Sequence, residues 1–208
     1  MKKLICLYSI LFGCTALAQI APVWHTVSGR RSWNYSYDIA FDEGKIKVYV
    51  GYELNWDADL IPSVALVKGW ETGIESVWST TRFEVPIEFD INFYDDTPHA
   101  TIRVRQGPAR SNRVTWDTED QPYVAIHEFG HQIGLYDEYA GGTQIPDPTL
   151  RAERVGTGGV MHYPPGGTKD YYYDDIMNWY NTTVVPEPSS AILLAASSIL
   201  LLGRRRRT

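Results

Sequence analysis

Between residues 36 and 52, polar and apolar side chains alternate on either side of Asp42-Glu43-Gly44. A period of two belongs to a half-buried strand, and the central triplet supplies turn chemistry, so residues 36–41 and 45–52 are predicted to form a hairpin. The period then changes. Val64, Val67, Trp70, Ile74 and Val77 recur at steps of three and four after Pro62-Ser63, which predicts a helix over 63–78. Alternation returns over 83–93 and 100–105, giving two more strands, and 114–116 is a short edge-strand candidate. Residues 122–132 are read as a second helix, with Asp120 or Gln121 near its cap. From Gly134 to Tyr180, Gly, Pro and Tyr dominate, so loops and one late helix near 171–180 are expected. No internal repeat is visible. The order of elements predicts one α+β domain.

The second helix carries the chemistry. Residues 127–137 read His-Glu-Phe-Gly-His-Gln-Ile-Gly-Leu-Tyr-Asp. A four-residue spacing puts His127 and His131 on one helical face, one turn apart, where two imidazoles can share a metal ion. Glu128 stands beside the first histidine, the place of a general base acting on a metal-activated water. Gly134 allows a sharp turn out of the helix, and the turn brings Asp137 round as a third ligand. Three protein ligands and one open position make a catalytic rather than a structural zinc site. Such a zinc ion would lower the pKa of a bound water towards about 7. The aspartate ligand should weaken the Lewis acid and move the optimum upward. His25 and His99 have no partner by spacing and are read as surface or hydrogen-bonded residues.

Composition narrows the class. The chain has 208 residues and two cysteines, Cys6 and Cys14. Both lie in an N-terminal stretch that reads as a secretory signal over residues 1–18: Lys2-Lys3, an apolar run over 4–12, and Ala16-Leu17-Ala18 before Gln19. A lipoprotein signal using Cys14 is the alternative. Without its leader the chain has no cysteine, so a metal must be held by His, Asp, Glu, Tyr or backbone. Residues 20–185 hold 13 Lys or Arg against 24 Asp or Glu, which argues against nucleic-acid binding. No EF-hand loop pattern is present. At the other end, Val185-Pro186-Glu187-Pro188 precedes an apolar run over 191–202 and arginines 204–207. The run is short for a spanning helix, which needs about 20 residues. The arginines favour the cytoplasmic side, with the body outside.

Two resemblances follow from these residues. The zinc motif, the glycine turn and Val160-Met161-His162-Tyr163 resemble the metzincin metallopeptidases over roughly residues 45–180. That resemblance implies a twisted, mainly antiparallel or mixed sheet, an active-site helix and a loop-rich C-terminal subdomain. It also implies Met161 as the apolar floor of the zinc site and hydrolysis of peptide or protein substrates. Met177 competes for the floor position. The Met-His-Tyr wording is similar to the astacins, which implies that Tyr163 stabilises the tetrahedral intermediate or acts as a fifth ligand. Asp137 stands where most of the family has a third histidine and is similar to the snapalysin type; Glu138 and His162 are the alternatives as third ligand. The tail, residues 184–208, resembles the PEP-CTERM sorting signal. It implies recognition by an exosortase, removal of the tail, only transient membrane contact, and delivery to the surface or extracellular matrix of a Gram-negative bacterium. The catalytic domain would then span 19–183. The competing expectations are a zinc-binding matrix protein without turnover and a structural domain without metal.

Overall fold

The computed structural model describes residues 22–107, 110–162 and 165–185. The expected N-terminal leader, the expected PEP-CTERM-like tail from residue 186 onward and Tyr163 lie outside these residues. Within them, no helix is long and apolar enough to cross a membrane.

The predicted hairpin is present and longer than its periodicity suggested: β2 (Asn34–Asp42) and β3 (Lys45–Trp56) pair antiparallel, Asp42 opposite Lys45. Glu43 and Gly44 both take positive φ, 51° and 78°, the backbone a tight two-residue turn needs. Ahead of it lies β1 (His25–Arg30), antiparallel to β2.

Strand β3 is shared. Residues 46–51 pair parallel with β4 (Ile87–Asn92), and residues 52–56 pair parallel with β5 (Ala100–Arg105), which in turn pairs parallel with the short β6 (Thr115–Asp117). The six-stranded sheet is therefore mixed, with three of its five strand pairings parallel; of the two expected forms, mainly antiparallel or mixed, it takes the mixed one. The cause is the connection. Between β3 and β4 the chain runs through α1 (Val64–Trp78), and a helical crossover returns a strand parallel to its predecessor. The strand expected over 83–93 begins only at Ile87, because Pro86 cannot donate a ladder hydrogen bond.

Helix α1 starts where Ser63 accepts a capping hydrogen bond from the Leu66 amide at 3.3 Å. Its buried stripe is Val67, Trp70, Ile74 and Trp78, while Val64 is exposed. This stripe packs on β4 and on α2 (Pro122–Gln132). Trp78 is the hub: its ring meets Phe89, Phe129, Tyr172 and Tyr173, and its Nε1 donates to the Ile126 carbonyl at 3.1 Å. Removing a ring of this size from a core costs about 3–5 kcal/mol. The aromatic cluster thus pins α2 against the sheet.

The C-terminal part is loop-rich, as expected, with α3 (Pro148–Arg154), a 3-10 turn over Asp170–Tyr173, and α4 (Asp174–Thr183). The late helix starts three residues beyond its predicted position. Helix α3 was not anticipated; Asp147 caps it through the amides of Thr149 and Leu150, with Pro148 in its first turn.

Candidate metal centre

Helix α2 begins at Pro122 after Gln121, which makes no side-chain cap hydrogen bond. Its buried residues include the run from His127 to Gln132, so both histidines face inward from a helix that the aromatic cluster holds from behind. Gly130, between them, is required by the packing. A β-carbon there would overlap Met161 Sδ and lie 3.2 Å from Trp78 Cζ2. Met161 is wholly buried against this turn, whereas Met177 is a partly buried residue at the edge of the core.

The far end of α2 is tethered to the β1–β2 turn and the start of β2, an N-terminal hairpin. Trp33 Nε1 donates to the His131 carbonyl at 2.8 Å, Arg31 Nε to the Gly134 carbonyl at 3.2 Å, and Gln132 Nε2 to the Ser36 carbonyl at 3.0 Å. The Trp33 ring also stands edge-on to the His131 ring. Gly134 has φ +88°, and a β-carbon there would come within 2.7 Å of the Tyr35 ring. The sharp exit from the helix therefore needs glycine for its backbone conformation and for its lack of a side chain.

The turn delivers Asp137. His127, His131 and Asp137, all buried, each place a donor atom within 4.8 Å of the others. Asp137 Oδ1 lies 3.0 Å from His127 Nε2 and 3.5 Å from His131 Nε2. The other carboxylate oxygen accepts from the Thr143 amide at 2.6 Å, which fixes its orientation. His127 Nδ1 meets the Val160 carbonyl at 2.9 Å, and His131 Nδ1 meets the Leu135 carbonyl at 2.8 Å. A carbonyl can only accept, so each Nδ1 carries the proton and each Nε2 turns to the common centre. Backbone partners of this kind orient metal-binding imidazoles. A tetrahedral ion with legs of about 2.0–2.1 Å would space its ligands about 3.3–3.4 Å apart, and the two measured separations bracket that value. The donor set fits: these three residues could hold a metal ion.

Electrostatics agree. Burial pushes the Asp137 carboxyl up, but hydrogen bonds from His127, His131 and the Thr143 amide outweigh it and hold Asp137 well below the usual carboxylate range. Burial lowers the His131 pKa, yet the hydrogen bond with Asp137 and the charge of Glu128 reverse this, so His131 is raised. With protons alone, the cluster favours an imidazolium against a carboxylate; a cation at the same point replaces those protons. Glu128 is buried beside it, with Oε2 3.7 Å from His131 Nε2. Burial raises its pKa, an effect only partly offset by His131 and His127.

The alternative third ligands behave differently. Glu138 points away into a polar brace: it accepts from Tyr171 Oη at 2.6 Å, Tyr172 Oη at 2.7 Å and Thr157 Oγ1 at 3.0 Å. The run Tyr171-Tyr172-Tyr173, which showed no direction in the sequence, thereby acquires a role. Two of its hydroxyls hold the residue next to Asp137, and the third, on Tyr173, donates to the Trp78 carbonyl at 2.7 Å. His162 is outside the donor group and lines a cleft of 340 Å³ together with His127, Glu128 and Tyr123. His99 is a strand-edge residue whose Nδ1 accepts from the Gly51 amide, and His25 is exposed against Trp179.

Two residues near the centre were missed by the sequence reading. Tyr139 sits 6.0 Å, ring to ring, from His127, and its hydroxyl accepts a hydrogen bond from Arg110. Tyr139, Arg110 and Glu128 border both the 340 Å³ cleft and a second one of 530 Å³ on the His131 side. The two clefts meet over Glu128, giving one trough that crosses the centre. Tyr139 is two residues past Asp137 and had a local signal; Arg110 lies in a β5–β6 loop without periodicity and had none.

Comparison of the chain with models of known families, with curated proteins and with solved structures found no match.

Proposed function

We propose that the protein is an exported zinc-dependent endopeptidase of metzincin-like design. The observation that supports this most is the convergence of His127 Nε2, His131 Nε2 and Asp137 Oδ1, with both Nδ1 atoms committed to backbone carbonyls. Two nitrogens and a carboxylate oxygen are a ligand set that suits zinc. Zinc bound there would supply a Lewis acid for a peptide carbonyl and lower the pKa of a coordinated water.

The chain's own residues supply the rest. Glu128, beside the centre and with a raised pKa, takes the proton of the attacking water and delivers it to the leaving amine. Tyr139, whose hydroxyl accepts from Arg110 and also lies against Asp137, donates to the carbonyl oxygen as negative charge develops there. Tyr163 is retained as a second candidate for this task. The trough over Glu128 gives an extended peptide room on both sides of the bond to be cut. The leader-like and PEP-CTERM-like sequences at the two ends support action at the cell surface or extracellular matrix of a Gram-negative bacterium, after an exosortase removes the tail.

The test is zinc content followed by turnover. The folded protein should carry one zinc per chain, and His131→Ala should carry none. Glu128→Gln should keep its zinc and lose peptide hydrolysis. A folded protein that takes up no zinc overturns the reading; one that takes up zinc but cleaves no peptide is a binding protein of the surface matrix.

A further inference from the structure

Two arginines without a carboxylate partner stand together at the candidate centre. Residues 20–185 carry 24 acidic against 13 basic side chains, so a surface cation readily finds a carboxylate. Lys45, Lys47, Lys68, Arg82 and Arg103 each do. Among the described residues Arg30, Arg110, Arg113, Arg151, Arg154 and Lys169 make no ion pair; of these, Arg110 and Arg113 stand at the cleft that Glu128, His131 and Asp137 also line. Arg110 has the Tyr139 hydroxyl and the face of its ring. Arg113 is half-buried and donates to no described side chain or carbonyl. Both line the 530 Å³ side of the trough, together with Trp33, Asn112, Glu128 and Asp137.

The loop that carries them is held in place. The Arg110 carbonyl accepts from Arg105 Nη2 at 3.0 Å. Ser111 Oγ donates to Asp120 and accepts the Asp117 amide at 2.9 Å. Asn112 and Thr115 exchange backbone hydrogen bonds at 2.8 and 3.0 Å. These bonds anchor the backbone over residues 110–115, which carries both guanidiniums. Once a divalent cation offsets Glu128 and Asp137, the two arginines leave this half of the trough positive in an otherwise acidic body. Guanidinium is also the cation whose geometry matches a carboxylate.

Resting on the peptidase reading, we propose that Arg110 and Arg113 form a carboxylate subsite on the His131 side of the scissile bond, so that the preferred substrates are acidic peptides. The carboxylate comes from an Asp or Glu side chain or from a free C-terminus. The two sources share their chemistry and differ in where the peptide must end.

Binding tests the subsite apart from turnover. Full-length protein carrying Glu128→Gln is loaded with zinc and titrated calorimetrically with four octapeptides of otherwise identical sequence: Glu or Gln at a central position, each with a free or amidated C-terminus. A charge-assisted bond predicts that the favoured carboxylate tightens binding about tenfold. That gain should shrink with added salt and disappear in Glu128→Gln/Arg113→Gln, while zinc content stays at one. A gain from central Glu identifies a side-chain subsite; a gain only from the free C-terminus identifies terminal recognition. Equal affinity for all four peptides, or a gain that survives Arg113→Gln and Arg110→Gln together, overturns the proposal. Turnover of the same peptides by the wild type then reports on the peptidase reading separately, because failure to cleave leaves the binding result standing.

Discussion

Replacing Glu138 by glutamine separates a ligand from a brace. The side chain is 3 % exposed and its carboxylate accepts three hydroxyl hydrogen bonds. A hydrogen bond to a charged group contributes about 1.5–3 kcal/mol. Tyr171 and Thr157 are only partly buried, so water recovers much of their loss; Tyr172 is buried and has no such recourse. Glutamine can keep its oxygen where Tyr172 and Thr157 donate and turn its amide toward the partly buried Tyr171. The fold should lose about 1–2 kcal/mol, the cost of exchanging a charged acceptor for a neutral one and of one disturbed hydroxyl. In a domain of this size that is a drop of roughly 3–6 °C in Tm, measurable by thermal and urea unfolding. Below the transition, Glu138→Gln should still bind one metal ion per chain, since His127, His131 and Asp137 are untouched, whereas Asp137→Asn should bind far more weakly. Wild-type stability in Glu138→Gln, or a folded Glu138→Gln that has lost the metal while Asp137→Asn keeps it, would refute the assignment.

Three further outcomes follow from the same geometry. Gly130→Ala gains helix propensity but drives a β-carbon into Met161 Sδ, so calorimetric unfolding should show a net loss of about 1–3 kcal/mol; a more stable variant would mean that Met161 is not seated under the turn. Tyr139→Phe should lower kcat about 100-fold with zinc content unchanged, and an unaltered kcat in steady-state assays would remove Tyr139 from the chemistry. In metal-free protein, the raised His131 pKa contributes stability below 6.5 that is lost as pH rises through the folded value. The depressed Asp137 contributes stability above 3.8 that is lost on acidification through its folded value. The chelated wild type, measured against His131→Gln by thermal melts, should therefore show its largest advantage between about pH 4 and 6.5. With zinc the dependence reverses, because the ion competes with protons for both Nε2 atoms. A chelated protein whose advantage over His131→Gln grows from pH 6.5 to 8 would contradict this.

Periodicity made the hairpin and α1 legible, because each buries one face; α2, buried all round from His127 to Gln132, was legible from its histidine spacing instead. Periodicity missed β1, whose six residues are exposed or only partly buried and so carry no apolar alternation. It missed α3, which has no buried residue and is specified by Asp147-Pro148 at its start. The parallel pairings were hidden because the direction of a strand is set by its connection and not by its own side chains. At the centre, ligand spacing was local and readable: four residues along a helix, then a glycine turn. The placement of Glu138 depended on hydroxyls more than thirty residues away, and that of Arg110 on a loop with no period. Long-range polar partners of this kind leave little trace in sequence order.

The tethers at the end of α2 set an order of assembly. Trp33, Arg31 and Ser36 reach carbonyls or side chains 96–103 positions further along the chain, while the imidazole of His127 depends on Val160, 33 positions later. Closing loops of such unequal length is slow and comes late in folding. Neither the N-terminal hairpin nor the isolated helix can aim both Nε2 atoms. Capture of an ion at these three residues would then be a checkpoint on completion: a chain that has not yet joined its first strands to its last helices would have nothing to offer a metal.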